Sequence, residues 1–160
     1  MKRRFLLISL ALISIILMIT IVGCTRDTTA DEKKVIKGFT ETFYTTPGKE
    51  MDIFKKYLTK EAYDSLTMDF YASSRNQYGP RMKGSMDGIE ISNMTIEPIE
   101  DDNKDYHYYQ VSLHLKNSEN NKEEDVSYKM SLEKFEGQWK LGLNNQFQIL
   151  LKFIWKMWKD

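Results

Sequence analysis

The period of the apolar positions changes along the chain, and each change marks a different element. Phe5 to Val22 is an almost unbroken apolar run, interrupted only by Ser9, Ser14 and Thr20. After a short polar stretch, Val35, Ile36, Phe39 and Phe43 recur at spacings of three and four from Asp31 onward. That spacing puts them on one face of a helix, with Asp31 and Glu32 at the positive end of its dipole. Thr46-Pro47-Gly48 stops it. A second helical stretch begins near Lys49 with the stripe Met51, Phe54, Tyr57 and Leu58. Thr59 is placed to cap a further short helix through Leu66, burying Ala62, Tyr63 and Leu66. Met68 to Gly88 has no clean period, and Tyr78-Gly79-Pro80 marks a turn within it.

From Ile89 the period becomes two. Ile89 and Ile91 share one parity and Met94 and Ile96 the other, so a bulge near Ser92-Asn93 is needed to keep all four on the core face. Pro98 then fits an edge or a strand end. Tyr109, Val111, Leu113 and Leu115 alternate with polar residues, as do Val126, Tyr128, Met130 and Leu132. Glu136-Gly137 makes a tight hairpin into a fourth strand carrying Trp139, Leu141 and Leu143. Helices first and then an antiparallel meander with one covered face define an α+β domain with a sheet of about four strands. A last change of period, over Gln146 to Lys159, puts Phe147, Leu150, Leu151, Ile154, Met157 and Trp158 on one helical face. Lys152, Lys156 and Lys159 fall opposite, with Trp155 beside them.

The amino terminus resembles a bacterial lipoprotein signal. Lys2-Arg3-Arg4 precede the apolar run, which ends in Ile21-Val22-Gly23-Cys24, similar to the lipobox of that family. The resemblance implies cleavage between Gly23 and Cys24, a diacylglycerol and palmitate anchor on Cys24, and a place on the extracytoplasmic face of the cell membrane of a Gram-positive bacterium. The alternative is an uncleaved anchor, since a run of this length just spans a bilayer. Residues 1–23 are then the signal, 24–30 a tether, 31–147 the domain and 148–160 an added amphipathic helix.

A second resemblance rests on the helices, the antiparallel sheet and the closing Phe135-Glu136-Gly137-Gln138-Trp139-Lys140-Leu141. It is similar to the nuclear transport factor 2-like (NTF2-like, cystatin-like, SnoaL-like) superfamily. The resemblance implies a curved sheet wrapped round the helices into a cone whose mouth often binds a small ligand. It also implies a mouth lined by the segment holding Tyr71, Arg75 and Tyr78, where they contact a ligand or else pack as ordinary surface residues.

Loss of the three basic signal residues leaves a slightly acidic mature chain, which gives no reason to expect nucleic acid as a partner. With one cysteine there is no intrachain disulfide, and lipidation consumes the thiol. His107 and His114 are the only histidines; seven residues apart on a strand, they face opposite sides and cannot share a metal or a proton. His107 has core parity and can point into the cone as a base or sit as a hydrogen-bonded strand-end ring; His114 lies on the polar face, solvated. Asp101-x-Asn103-x-Asp105 opens like a calcium loop, but Tyr106 stands where glycine is needed and Ser112 where glutamate is. No catalytic set, metal site or cofactor motif follows from the residues.

The reading is a non-enzymatic, membrane-anchored domain that binds an envelope protein or a small apolar ligand. The competitors are a small-molecule enzyme using the cone and an accessory subunit of a secretion or conjugation apparatus. An apolar cone argues for binding, whereas a buried acid beside His107 argues for catalysis. The C-terminal helix has two readings as well. Trp155, Trp158, Lys152 and Lys156 suit an interfacial membrane or partner contact, whereas the same apolar stripe suits docking on its own domain. On the anchor, Cys24→Ala is expected to leave an uncleaved, unacylated precursor, read by gel mobility and lipid labelling; unchanged processing and labelling would refute the lipobox reading.

Overall fold

The computed structural model describes residues 28–45, 50–75, 88–101, 103 and 105–158. The chain divides into two units, Met1–Asp31 and Glu32–Asp160, and the fold set out here is that of the second. Helix α1 spans Thr28–Thr45, a 3-10 helix spans Met51–Lys56, and α2 spans Lys60–Arg75. Strands β1 (Ile89–Ile99), β2 (Tyr106–Asn117), β3 (Lys122–Phe135) and β4 (Gln138–Leu141) follow, and α3 (Phe147–Trp158) comes last. The sheet is antiparallel throughout, in the order β1-β2-β3-β4. This is the α+β architecture expected from the periods, helices first and the meander after them.

The strands form where the alternation was clean. Tyr109, Val111, Leu113 and Leu115 of β2 and Val126, Tyr128, Met130 and Leu132 of β3 are all buried. The register of β1 on β2 shifts between Ser92 and Thr95, and Asn93 takes a positive φ of 53°. The bulge returns Met94 and Ile96 to the side of Ile89 and Ile91, where they pack on the core. Pro98 lies within β1, an edge strand that tolerates a missing donor. Glu136 and Gly137 both have positive φ, 49° and 78°, the backbone a two-residue hairpin needs.

Several expectations shift. The first helix begins at Thr28, inside the supposed tether 24–30. The stretch near Lys49 is a short 3-10 helix, not an α-helix. Thr59 does cap the next helix, its Oγ1 accepting from the Ala62 N–H at 3.3 Å, but that helix runs on to Arg75, well past Leu66. Its last turns carry exposed Met68 and Tyr71, which blurred the apolar period. Leu143 lies beyond β4 and is exposed.

Of the two readings of the C-terminal helix, α3 takes docking on its own domain. Phe147, Leu150, Leu151, Ile154 and Met157 are all at most 4% exposed and belong to the one core cluster. Burying side chains of this size stabilises by about 1.5–3 kcal/mol each. Polar contacts fix the far end: Asn117 and Asn120 side-chain amides donate to the Met157 carbonyl at 3.2 and 2.9 Å, satisfying a carbonyl that a helix end leaves open. Lys156 adds an ion pair to Glu124 at 2.6 Å. The apolar stripe is therefore turned into the domain and is not available to a bilayer; Lys152 stays exposed, and the side chains of Trp155 and Trp158 lie outside the described residues.

Helix α1 also buries polar groups. The Thr40 and Tyr128 hydroxyls bond at 3.2 Å, tying α1 to β3. The Tyr44 hydroxyl is buried with no hydrogen-bond partner among the described residues. Burial, with the Tyr128 hydroxyl close by, holds its pKa far above that of a free tyrosine, and burial raises Tyr128 in the same way. A tyrosine raised by folding contributes its stability in full below the unfolded value of about 10 and loses it as the pH climbs above that value. The domain should therefore weaken above about pH 10. Tyr44→Phe removes the orphaned hydroxyl, so it should stabilise by about 1 kcal/mol at neutral pH and reduce the alkaline loss. Urea melts across that range test both; a variant less stable than the parent would contradict the packing described.

Candidate functional site

Glu32 lies in the first turns of α1 and is only 1% exposed, a rare state for a carboxylate. Its Oε2 accepts a hydrogen bond from the Tyr109 hydroxyl at 2.6 Å and lies 2.9 Å from His107 Nδ1. Oε1 is buried and has no partner among the described residues. Helix and strand meet here for a reason legible in hindsight. Glu32 stands four residues before Ile36 and seven before Phe39, on the apolar stripe itself. When that stripe docks, the carboxylate goes down with it. Tyr109 and His107 are two apart on β2, so both face the helix.

An ionised carboxylate only accepts hydrogen bonds, so opposite one Nδ1 is the donor and Nε2 is the ring's other proton site. The His107 side chain is 42% exposed. Its ring packs on the Trp139 indole with centroids 4.6 Å apart, and the Lys134 amine lies 6.0 Å from the indole centre. A buried acid thus orients a half-exposed imidazole beside an aromatic plane. Such an arrangement can move a proton at Nε2; it can equally act as a latch between α1 and β2. Trp139, carried on the fourth strand, is half-buried beside this exposed ring.

The other residues singled out from the sequence fall elsewhere. Tyr71 is exposed on α2. Arg75 ends that helix, its side chain outside the described residues, and Tyr78 also lies outside them. Cys24 and Gly23 are likewise outside. His114 is not simply solvated: its Nδ1 is 2.8 Å from Asp125 and its Nε2 3.8 Å from Glu123. Asp101 and Asn103 side chains accept from backbone N–H groups two residues on, which makes a stepped turn of the acidic loop. Among the described residues no cluster of three His, Cys, Asp or Glu side chains could hold a metal, and no helix is long and apolar enough to cross a membrane. A cavity of about 190 Å³ lies apart from the Glu32 cluster, between β3 and the start of α3.

No family model matches the chain, and no curated protein matches it. A solved structure does. It is an NTF2-like protein from Campylobacter jejuni, provisionally assigned as a transpeptidase, which is 20% identical. The match has a TM-score of 0.37 and covers 70% of this chain and 97% of that one. At that score no residue and no role is carried across.

Glu32→Ala removes the buried acceptor that the Tyr109 hydroxyl meets at 2.6 Å and should cost about 1–3 kcal/mol. Glu32→Gln keeps an acceptor and should cost less. Denaturant melts of the two variants decide; an alanine variant as stable as the parent would mean that the carboxylate is not buried.

Proposed function

We propose that the chain is a lipoprotein, anchored through Cys24 on the extracytoplasmic face of the membrane, whose domain is an interaction module and not an enzyme. One observation carries the second half. The side of the sheet that a cone would leave open to a ligand is filled by the protein's own side chains. Phe39 packs on Phe54 and Phe147, each with ring centroids 5.7 Å apart, and the apolar face of α3 lies in the same core. Beyond the cavity of about 190 Å³ beside β3, this packing leaves little room for a small apolar ligand, so an envelope protein is the partner this reading favours. Service in a secretion or conjugation apparatus is one form it can take.

The Glu32–His107 pair supports a second reading, acid–base catalysis at the half-exposed imidazole. A buried acid next to this histidine is the feature that an enzyme of this type would need. Against it stands the absence of a nucleophile in the contacts described for His107. The two readings separate in cells carrying the full-length protein in place of the native copy. His107→Ala, shown to be folded and in the membrane, is expected to complement a deletion as well as the parent does. Complete loss of function in that variant would replace the interaction module with the catalytic reading.

A further inference from the structure

Strand β3 has 14 residues, but its neighbour β4 has only 4. The β4 pairing covers Leu132 to Phe135 and stops. At the next position the Asn145 side chain takes over: the Ser131 N–H donates to its Oδ1 and its Nδ2 donates to the Ser131 carbonyl, both at 2.9 Å. One amide side chain thus stands in for a strand residue. Past Ser131, the backbone groups of Lys129, Ser127 and Asp125 turn to the same side by the alternation of an antiparallel strand. Among the described residues nothing pairs with them, and all three residues are exposed.

An open edge of this kind is a template for another strand. The opposite edge, β1, is blunted by its bulge and by Pro98; the free part of β3 has neither. The cavity of about 190 Å³ runs beside it, walled by Ser127, Lys129 and Ser131 and, across the gap, by Asn145, Phe147 and Leu150.

We propose that this edge pairs antiparallel with the same edge of a second copy, with Ser127 on the twofold axis. The reason for choosing a second copy is the charge pattern. Centred on Ser127, the strand sets Asp125 opposite Lys129 twice, once on each side of the axis, and Val126 opposite Tyr128 twice. The residues facing each other are those whose backbone groups point outward, so the ladder bonds form in the same register. Sliding one copy by two residues in one direction leaves Asp125 and Lys129 both facing serines. In the other direction it exchanges the Asp125–Lys129 pairs for Glu123–Lys129 pairs and leaves Asp125 facing Ser127, a register that the Ser127→Cys crosslink separates from this one. Sliding by four sets Asp125 on Asp125 or Lys129 on Lys129. Opposite charges directly across an antiparallel pair stabilise it and like charges destabilise it. The dimer joins two four-stranded sheets into one and removes both unpaired edges.

The test uses the full-length protein in its own membrane and then in detergent. Ser127→Cys puts two thiols across the axis, at a Cα separation of about 5.5 Å for a hydrogen-bonded pair, within the reach of a disulfide. Mild oxidation should give a crosslinked dimer. Ser112→Cys, on the same face but one strand inward, should give no more than the parent protein. By light scattering, Lys129→Glu should weaken the dimer about tenfold, since both symmetry-related pairs turn repulsive. Asp125→Lys combined with Lys129→Glu should restore it. Circular dichroism melts establish that each variant is folded, and the crosslink does not depend on the charge variants. A monomeric parent protein, equal crosslinking at positions 112 and 127, or a folded double reversal no tighter than the single one would each overturn the proposal. A Cys24 that is not acylated would crosslink the parent and both cysteine variants alike, so the excess at position 127 is what is read, and the light-scattering readouts do not depend on Cys24.

Discussion

Phe39 is the contact on which the rest of the domain depends. Its ring, fully buried, sits 5.6 Å from Phe43 of its own helix, 5.7 Å from Phe54 of the 3-10 helix and 5.7 Å from Phe147 of α3. One side chain thus joins two neighbouring helices to a third that lies far along the chain. The residue before it makes the approach possible: a Cβ on Gly38 would meet the Tyr57 ring at 2.8 Å. Close packing of this kind leaves little freedom in how α1 can lie. The orientation of α1 in turn decides which of its other side chains are buried, including the polar ones.

Glu32 is the clearest case. Nothing about a glutamate favours a dry site, and here one of its oxygens has no partner among the described residues. The stripe of Ile36, Phe39 and Phe43 carries it inward, and Tyr109 and His107 meet its other oxygen from β2. Together with the Thr40–Tyr128 bond, this makes two polar ties between α1 and the sheet. Polar ties have direction where apolar contacts have none, so they limit rotation of the helix about its own axis.

How much of this could be read from the residues depends on whether the information was local. The alternation in β2 and β3 was legible because one face of each is covered along its length. The bulge at Asn93 and the hairpin at Glu136-Gly137 were legible because parity and turn chemistry are local properties. The end of α2 was not, because Met68 and Tyr71 are apolar residues on the surface. The amphipathic stripe of α3 is the same whether it meets lipid, a partner or its own sheet, and only the tertiary contacts distinguish these. For His107 the facing side followed from parity, but its partner lies 75 residues away and carried an equally good local explanation as a helix-dipole charge. The pairing of Asn145 with Ser131 left no mark in either pattern.

The place of α3 in the core has a consequence for how the chain is made. Phe39 emerges in synthesis long before Phe147, which packs on it. Leu58 likewise waits for Leu141, its partner in an isolated bridge. Contacts that span this much sequence form slowly, because closing the loop costs entropy before the contact returns anything. Until α3 is free, the chain has no way to complete its interior. A polypeptide with that property stays threadable while it is being made, which is the condition a protein must meet to pass through a narrow export channel as an unfolded strand.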